Sequence, residues 1–168
     1  MEGRRPLWAP WRLDYVAGTA QPGGCIFCEP PAPVADRERL ILHRGRSVFV
    51  LLNRFPYAAG HLMVAPYAHV GRLAALEPAA RDELMKRLAD CERVLEAETH
   101  CEGINVGSNL GRAAGAGFGD HVHFHLVPRW SGDTNFMTSV GELRVIPEHL
   151  ERSYDRFATR FRALETGA

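Results

Sequence analysis

Gly119-Asp120-His121-Val122-His123-Phe124-His125-Leu126-Val127-Pro128-Arg129 is the stretch whose reading decides the fold. Three histidines alternate with apolar residues. Successive side chains of a β-strand point to opposite faces, so a strand here places all three imidazoles on one face and turns Val122, Phe124 and Leu126 into a core behind it. Neighbouring histidines then stand roughly 6.5–7 Å apart, a spacing suited to a row of ligands or of phosphate contacts. A lone histidine in a strand is commonly half-buried with one satisfied hydrogen bond. Three in strict alternation, out of eight in the chain, point to a functional site.

The segment leading into this strand, Leu110 to Gly119, carries four glycines in the nine positions after Leu110. Glycine lets backbone amides converge on an anion, and the place of this loop directly before the histidines reads as half of a phosphate site, with Arg112 as a charged partner. Residues 103–109 read as a further strand. Upstream, Ile41-Leu42-His43 and Val48-Phe49-Val50-Leu51-Leu52 are strands around the Arg44-Gly45-Arg46 turn, and Leu62 to Pro66 is a third after the loop from Asn53 to His61. From Pro78 to about Glu98, Leu84, Leu88, Cys91 and Leu95 recur at helical spacing with charges between them. This is an amphipathic helix with proline in its first turn, and Cys91 is core filler. A last helix is expected from about Pro147 to Leu164, with Leu150, Tyr154, Phe157 and Phe161 on its apolar side. Most connections are too short for parallel crossovers. The expected fold is therefore α+β, an antiparallel sheet of about five strands with two main helices.

A chain of 168 residues can bury a core without disulfides. Lys plus Arg and Asp plus Glu number 20 each, so no global field attracts nucleic acid or an anionic membrane, and neither is an expected partner. No apolar run reaches membrane-spanning length, and Met1 to Trp8 lacks the apolar core of a signal peptide, so a cytoplasmic protein with reduced thiols is expected. Neither repeats nor long linkers divide the chain. It reads as one domain over 1–168, with an aromatic arm (1–24), a core (25–138) and a C-terminal extension carrying a helix (139–168). Within the arm, residues 6–17 combine two tryptophans, two prolines and a tyrosine, and read as an irregular lid over the core. Cys25-Ile26-Phe27-Cys28 is a redox pair, half of a zinc site, or chance. The prolines after Cys28 argue against the helix that a thioredoxin-like pair needs, which leaves zinc in front, and a closed tetrahedral site then needs two more ligands. Cys101 has no role legible in the sequence.

Together these residues resemble a known family across nearly the whole chain. His121-Val-His-Phe-His-Leu-Val127 is similar to the signature of the histidine triad superfamily of nucleotide hydrolases and transferases, and Gly60-His61-Leu-Met-Val-Ala-Pro66 resembles its second hallmark. Asn53 sits where members commonly hold the ribose with Asn or Asp. The arm Leu7-Trp-Ala-Pro-Trp-Arg12 and the tail Pro128-Arg-Trp-Ser-Gly-Asp-Thr-Asn-Phe136 resemble more particularly the bacterial branch that includes diadenosine tetraphosphate phosphorylases.

The resemblance implies a nucleotide substrate, a homodimer with one sheet running across the interface, and catalysis by the row His121, His123 and His125. His123, exposed on the active face, is implied to attack the α-phosphorus and form a nucleotidyl-histidine. His125 and the loop backbone would steady the phosphate oxygens. Whether phosphate, water or another nucleophile then removes the nucleotide decides between phosphorylase, hydrolase and transferase. Asn53, His61, Asn109, Arg112, Gly117 and Phe118 are the substrate-binding candidates. The resemblance also completes a structural zinc site with Cys25, Cys28, His69 and His121 as ligands. One departure stands out: many relatives have Gly-Gln-Ser or Gly-Gln-Thr before the triad, and this chain has Gly117-Phe118-Gly119. The loop backbone, Asn109 or Arg112 must replace the lost side-chain contacts. Two rival readings stay open: a metallohydrolase whose histidine row holds a catalytic zinc, and a nucleotide-binding module without turnover.

Overall fold

The computed structural model describes residues 24–28, 35–133 and 148–166. The expected lid at 6–17 and the proline-rich stretch at 30–34 lie outside the described residues, as does the chain from 134 to 147. Five strands form one sheet among them: β1 (Ile41–Arg44), β2 (Val48–Leu52), β3 (Leu62–Pro66), β4 (Gly103–Gly107) and β5 (Phe124–Arg129). Their order is β1-β2-β3-β5-β4 and every pairing is antiparallel. The helices are α1 (Asp36–Arg39), α2 (Pro78–Thr99) and α3 (Leu150–Thr166). The two long helices and the strands stand where the sequence periodicity placed them, within a few residues. α1 was not foreseen, because four residues are too few to display a helical period.

The central strands are covered on both faces, so β2 is apolar throughout. Val48, Val50 and Leu52 join Leu62, Val64, Val122 and Leu126 against Leu84, Leu88, Cys91 and Leu95 of α2 and Phe157 and Phe161 of α3. Cys91 is fully buried there, and Cys101 packs against the edge of the same cluster. On the opposite face Phe49, Leu51, Met63 and Ala65 form a smaller cluster with Ile41 and Phe27. Glu83 of α2 reaches over the β1–β2 turn and accepts the amides of Arg46 and Ser47, each at 2.8 Å. Asp36 of α1 is paired with Arg44 of β1 at 2.6 Å. No helix among the described residues is long and apolar enough to cross a membrane.

The histidine stretch is a regular strand only from Phe124 onward. β3 and β5 are in register at Leu62 with Leu126, Met63 with His125 and Val64 with Phe124. Continued, that register would set Pro66 opposite Val122. Pro66 has no amide hydrogen to offer the neighbouring strand, and the ladder breaks there. The Val122 amide bonds instead to the carbonyl of Val70 at 2.7 Å, after the chain has made an excursion through residues 67–69. The alternation survives the break. Val122 and Leu126 remain in the helix-side core while His121 and His123 turn to the other face, against Phe27.

This excursion returns through a tight backbone crossing at Gly71. A β-carbon on Gly71 would meet the carbonyl oxygen of Gly119 at 2.7 Å and Cα of Asp120 at 3.2 Å, both backbone atoms that cannot swing aside. Gly71→Ala is therefore expected to displace the segment entering His121 and to cost about 1–3 kcal/mol, read as a lower denaturant midpoint at unchanged m-value.

Candidate active site

Each imidazole of the site is bound to the protein through at least one nitrogen, and these bonds fix the tautomers. His121 donates Nε2–H to the carbonyl of Pro66 at 2.9 Å, the acceptor that the broken ladder leaves open. A carbonyl can only accept, so the lone pair of His121 lies on Nδ1. That nitrogen faces Cys25 Sγ at 3.4 Å, Cys28 Sγ at 3.6 Å and His69 Nδ1 at 3.3 Å. His123 donates Nδ1–H to the carbonyl of His121 at 2.9 Å, which leaves its lone pair on Nε2. Behind the row, His61 Nδ1 accepts the amide of Tyr57 at 3.1 Å, so its proton is on Nε2, from which it donates to His125 Nδ1 at 3.0 Å. His125 must then carry its own proton on Nε2.

Cys25, Cys28, His69 and His121 are the group that could hold a metal: their donor atoms all lie within 4.8 Å of one another. The fit can be tested against tetrahedral geometry. Zinc bonds of about 2.3 Å to sulfur and about 2.0 Å to nitrogen set the tetrahedron's edges at about 3.5 Å between sulfur and nitrogen and about 3.3 Å between nitrogens. The His121 separations match both edges, and Cys28 Sγ to His69 Nδ1, at 2.9 Å, is somewhat tighter. The Pro66 carbonyl on the far nitrogen of His121 is the outer hydrogen bond that such a ligand needs. The two cysteines sit on one turn, closed by the Cys28 amide on the Cys25 carbonyl at 3.1 Å.

The same turn carries a residue that sequence reasoning missed. Phe27, between the two cysteines, is 1% exposed and stacks on His123 with ring centroids 4.6 Å apart. His123 is itself buried, at 5% exposure, which corrects the expectation of an imidazole lying open on the face. Its ring lies 4.9 Å from that of His125, closer than an ideal strand spacing because His123 precedes the regular strand. Burial holds the His123 pKa below the ordinary imidazole value, despite the Nδ1 hydrogen bond that opposes the shift. His121 is lowered for the same leading reason.

The substrate-side candidates are placed unevenly. His61 is fully buried and faces His125 instead of open space. Asn53 has both ends of its amide engaged by its own loop, Nδ2 toward His61 Nδ1 at 3.3 Å and Oδ1 accepting the Phe55 amide at 2.9 Å. Asn109 braces the glycine loop through the Gly115 carbonyl at 3.4 Å. Arg112 and Gly117 are exposed, and Phe118 packs edge-on against Phe27 at 5.6 Å. Of the tail motif, Trp130 anchors to the end of α2 through Nε1–H to the Thr99 carbonyl at 3.2 Å.

Burial and the neighbouring imidazoles push His61 down to about 3. An imidazole whose folded pKa lies below its unfolded value near 6.5 stabilises the fold fully above that value and loses the contribution as pH falls from about 6.5 toward about 3. The urea midpoint should therefore drop between pH 7.5 and pH 5, and His61→Gln, which cannot take up a proton there, should flatten that slope.

The comparisons with known proteins agree with this geometry. A family model described as the HIT domain matches residues 36–132. The AP-4-A phosphorylase of Mycobacterium tuberculosis strain H37Rv is 39% identical over 167 residues, covering 92% of this chain and 83% of that protein. The asymmetrical bis(5'-nucleosyl)-tetraphosphatase of Schizosaccharomyces pombe is 29% identical, covering 55% and 50%. Among solved structures, a hypothetical histidine triad nucleotide-binding protein from Sulfolobus tokodaii superposes with a TM-score of 0.65 at 22% identity, covering 84% of this chain and 94% of that one. A zinc-bound histidine triad family protein from Mycobacterium smegmatis gives 0.62 at 21% identity, covering 92% and 96%. With the triad, its supporting imidazole and the sheet that carries them in place, the chain belongs to the HIT domain family, the histidine triad proteins.

Proposed function

We propose that the protein cleaves dinucleoside polyphosphates by nucleotidyl transfer through His123 and releases the nucleotide to phosphate or water. The observation that carries this reading is the His123 tautomer: with Nδ1–H on the His121 carbonyl, the Nε2 lone pair is the nucleophile. It attacks the α-phosphorus, the bond to the outgoing polyphosphate oxygen breaks, and the acceptor later breaks the N–P bond from the same side of the site. His125 offers Nε2–H to a phosphate oxygen because His61 occupies its Nδ1, which makes His61 a positioning residue. The phosphorylase from M. tuberculosis, matched over 92% of the chain, favours phosphate as the acceptor over water.

Zinc suits the Cys25-Cys28-His69-His121 group, and the M. smegmatis neighbour is zinc-bound. A zinc ion there would cross-link the Phe27 turn to the segment preceding the nucleophile, as a closed structural site. His121 belongs with the cysteines and His69 instead of converging on a common point with His123 and His125, which disfavours a catalytic metal on the histidine row. We further infer a homodimer in which β4 pairs with its counterpart. Among the described residues β4 ends the sheet, carries neither charge nor proline, and exposes Gly103, Asn105, Gly107 and Val106, an edge suited to pairing.

Diadenosine tetraphosphate incubated with the protein should give ADP and ATP only when inorganic phosphate is added. AMP and ATP in water alone would instead make it an asymmetric hydrolase. His123→Ala should lower turnover by at least about a thousandfold, and substantial remaining activity would exclude the covalent route. Cys25→Ser should remove bound zinc, measured by atomic absorption, and lower Tm by about 5 °C or more. Val106→Lys should convert a dimer to a monomer in light scattering, and a wild-type monomer would sink the edge-pairing model.

A further inference from the structure

Among the described residues, the histidine row brings no fixed positive charge to the site. An imidazole must be unprotonated to attack phosphorus, and His61 behind it is neutral because its Nδ1 accepts the Tyr57 amide. The side chains of the glycine loop add no charge: from Ala113 to Gly119 they are alanine, glycine and Phe118, so that stretch can offer a phosphate only its backbone amides. A polyphosphate carries several negative charges into this place, so the countercharge must come from its border.

Among the described residues, Arg37, Arg44, Arg87, Arg93, Arg129, Arg156 and Arg160 are held in ion pairs. Arg72 and Arg112 are exposed, and neither guanidinium has a carboxylate partner among the described residues. Both lie against the same loop. A β-carbon at Gly111 would stand 4.0 Å from a terminal guanidinium nitrogen of Arg72, and one at Gly119 would stand 3.5 Å from Cγ of Arg112. Gly111 and Gly115 adopt φ of +91° and +85°, a left-handed backbone that curls the loop between the two arginines.

The loop also has a fixed relation to the histidines. It leaves β4 where Gly107 pairs with His125, and returns to the chain at His121. Residues 70–72 run beside 119–122 through the Val70–Val122 bond and the Gly71–Gly119 crossing, so Arg72 stems from the segment that flanks the approach to His123. A place beside the nucleophile's segment, and not on the histidine row itself, suits phosphates beyond the one under attack.

Resting on the nucleotidyl-transfer reading above, we propose that Arg72 and Arg112 form a guanidinium pair that binds phosphate outside the α-position. That phosphate is either the outer part of the polyphosphate or the inorganic phosphate that accepts the nucleotide. In the second case an oxygen of inorganic phosphate bonds to the α-phosphorus, the N–P bond to His123 breaks with its electron pair returning to Nε2, and a nucleoside diphosphate leaves. Guanidinium suits the task because its planar donors engage two phosphate oxygens at once. The pair supplies what Gly117-Phe118-Gly119 cannot.

The test compares diadenosine tetraphosphate plus phosphate with adenosine 5'-phosphoramidate in water, a substrate with no outer phosphate and no phosphate acceptor. Arg72→Ala and Arg112→Ala should each lower by about tenfold either kcat/KM for the tetraphosphate, relative to the phosphoramidate, or kcat/KM for inorganic phosphate, with Lys variants intermediate. A raised KM for the tetraphosphate alone assigns the pair to the outer phosphates; a raised KM for inorganic phosphate alone assigns it to the acceptor. Unchanged kcat/KM for both the tetraphosphate and inorganic phosphate in both Ala variants, with Tm showing them folded, would overturn the proposal. A wild-type protein that leaves the tetraphosphate untouched would overturn the underlying reading, and is seen before any variant is made.

Discussion

A neutral imidazole has two nitrogens and one proton, and the whole site depends on where the protein fixes that proton. Backbone groups settle it at three positions. The Pro66 carbonyl takes the Nε2 proton of His121, the His121 carbonyl takes the Nδ1 proton of His123, and the Tyr57 amide forces the proton of His61 to Nε2. His125 follows by relay from His61. Four histidines of one chemistry thus acquire four different settings: His121 turns a lone pair to the cysteines, His123 keeps one on Nε2, His125 keeps a proton on Nε2, and His61 supports His125. Desolvation keeps the arrangement in place by holding His61, His121 and His123 below the ordinary imidazole pKa.

The broken ladder at Pro66 is what makes the first two assignments compatible. Had β3 and β5 remained paired, the Pro66 carbonyl would have been satisfied by a strand amide and His121 would have had no anchor. Proline ends that pairing, the excursion carries His69 toward the cysteines, and Gly71 lets the chain pass back against Gly119. The Cys25-Cys28-His69-His121 group and His123 are consequently joined twice. His121 supplies a carbonyl to His123 while turning its ring to the cysteines, and the Cys25–Cys28 turn presses Phe27 onto the His123 ring. A metal held by this group, as proposed above, would steady His123 without touching a substrate.

The departure of the glycine loop from its relatives also has a physical reading. Phe118 belongs to the packing around Phe27, on the side of the sheet that carries the histidines. A residue that completes this apolar support cannot also donate to phosphate, and the flanking residues are alanine and glycine. Charge recruited from outside the motif, from Arg112 and from Arg72 on a different segment, is the compensation the geometry offers.

Much of this was legible in the chain. The period-two alternation around His123 and the helical spacing of Leu84, Leu88, Cys91 and Leu95 are local properties, and local geometry obeys them. The donor types at Cys25 and Cys28 likewise pointed to a turn that could hold a metal, while the family resemblance supplied His69 and His121. Other features were not legible, because each joins residues far apart in sequence. Phe27 over His123, the Pro66 carbonyl on His121, and Arg72 beside Gly111 leave no periodic trace. Even the exposure of His123 was misjudged, since alternation says which face a side chain occupies and nothing about what covers that face. The sequence by itself determined the strands, the helices and the row of imidazoles, because backbone pleat and helical turn are set by neighbouring residues. Only the tertiary structure decided the tautomers, the burial and the charge around that row, because each is fixed by groups that meet through folding alone.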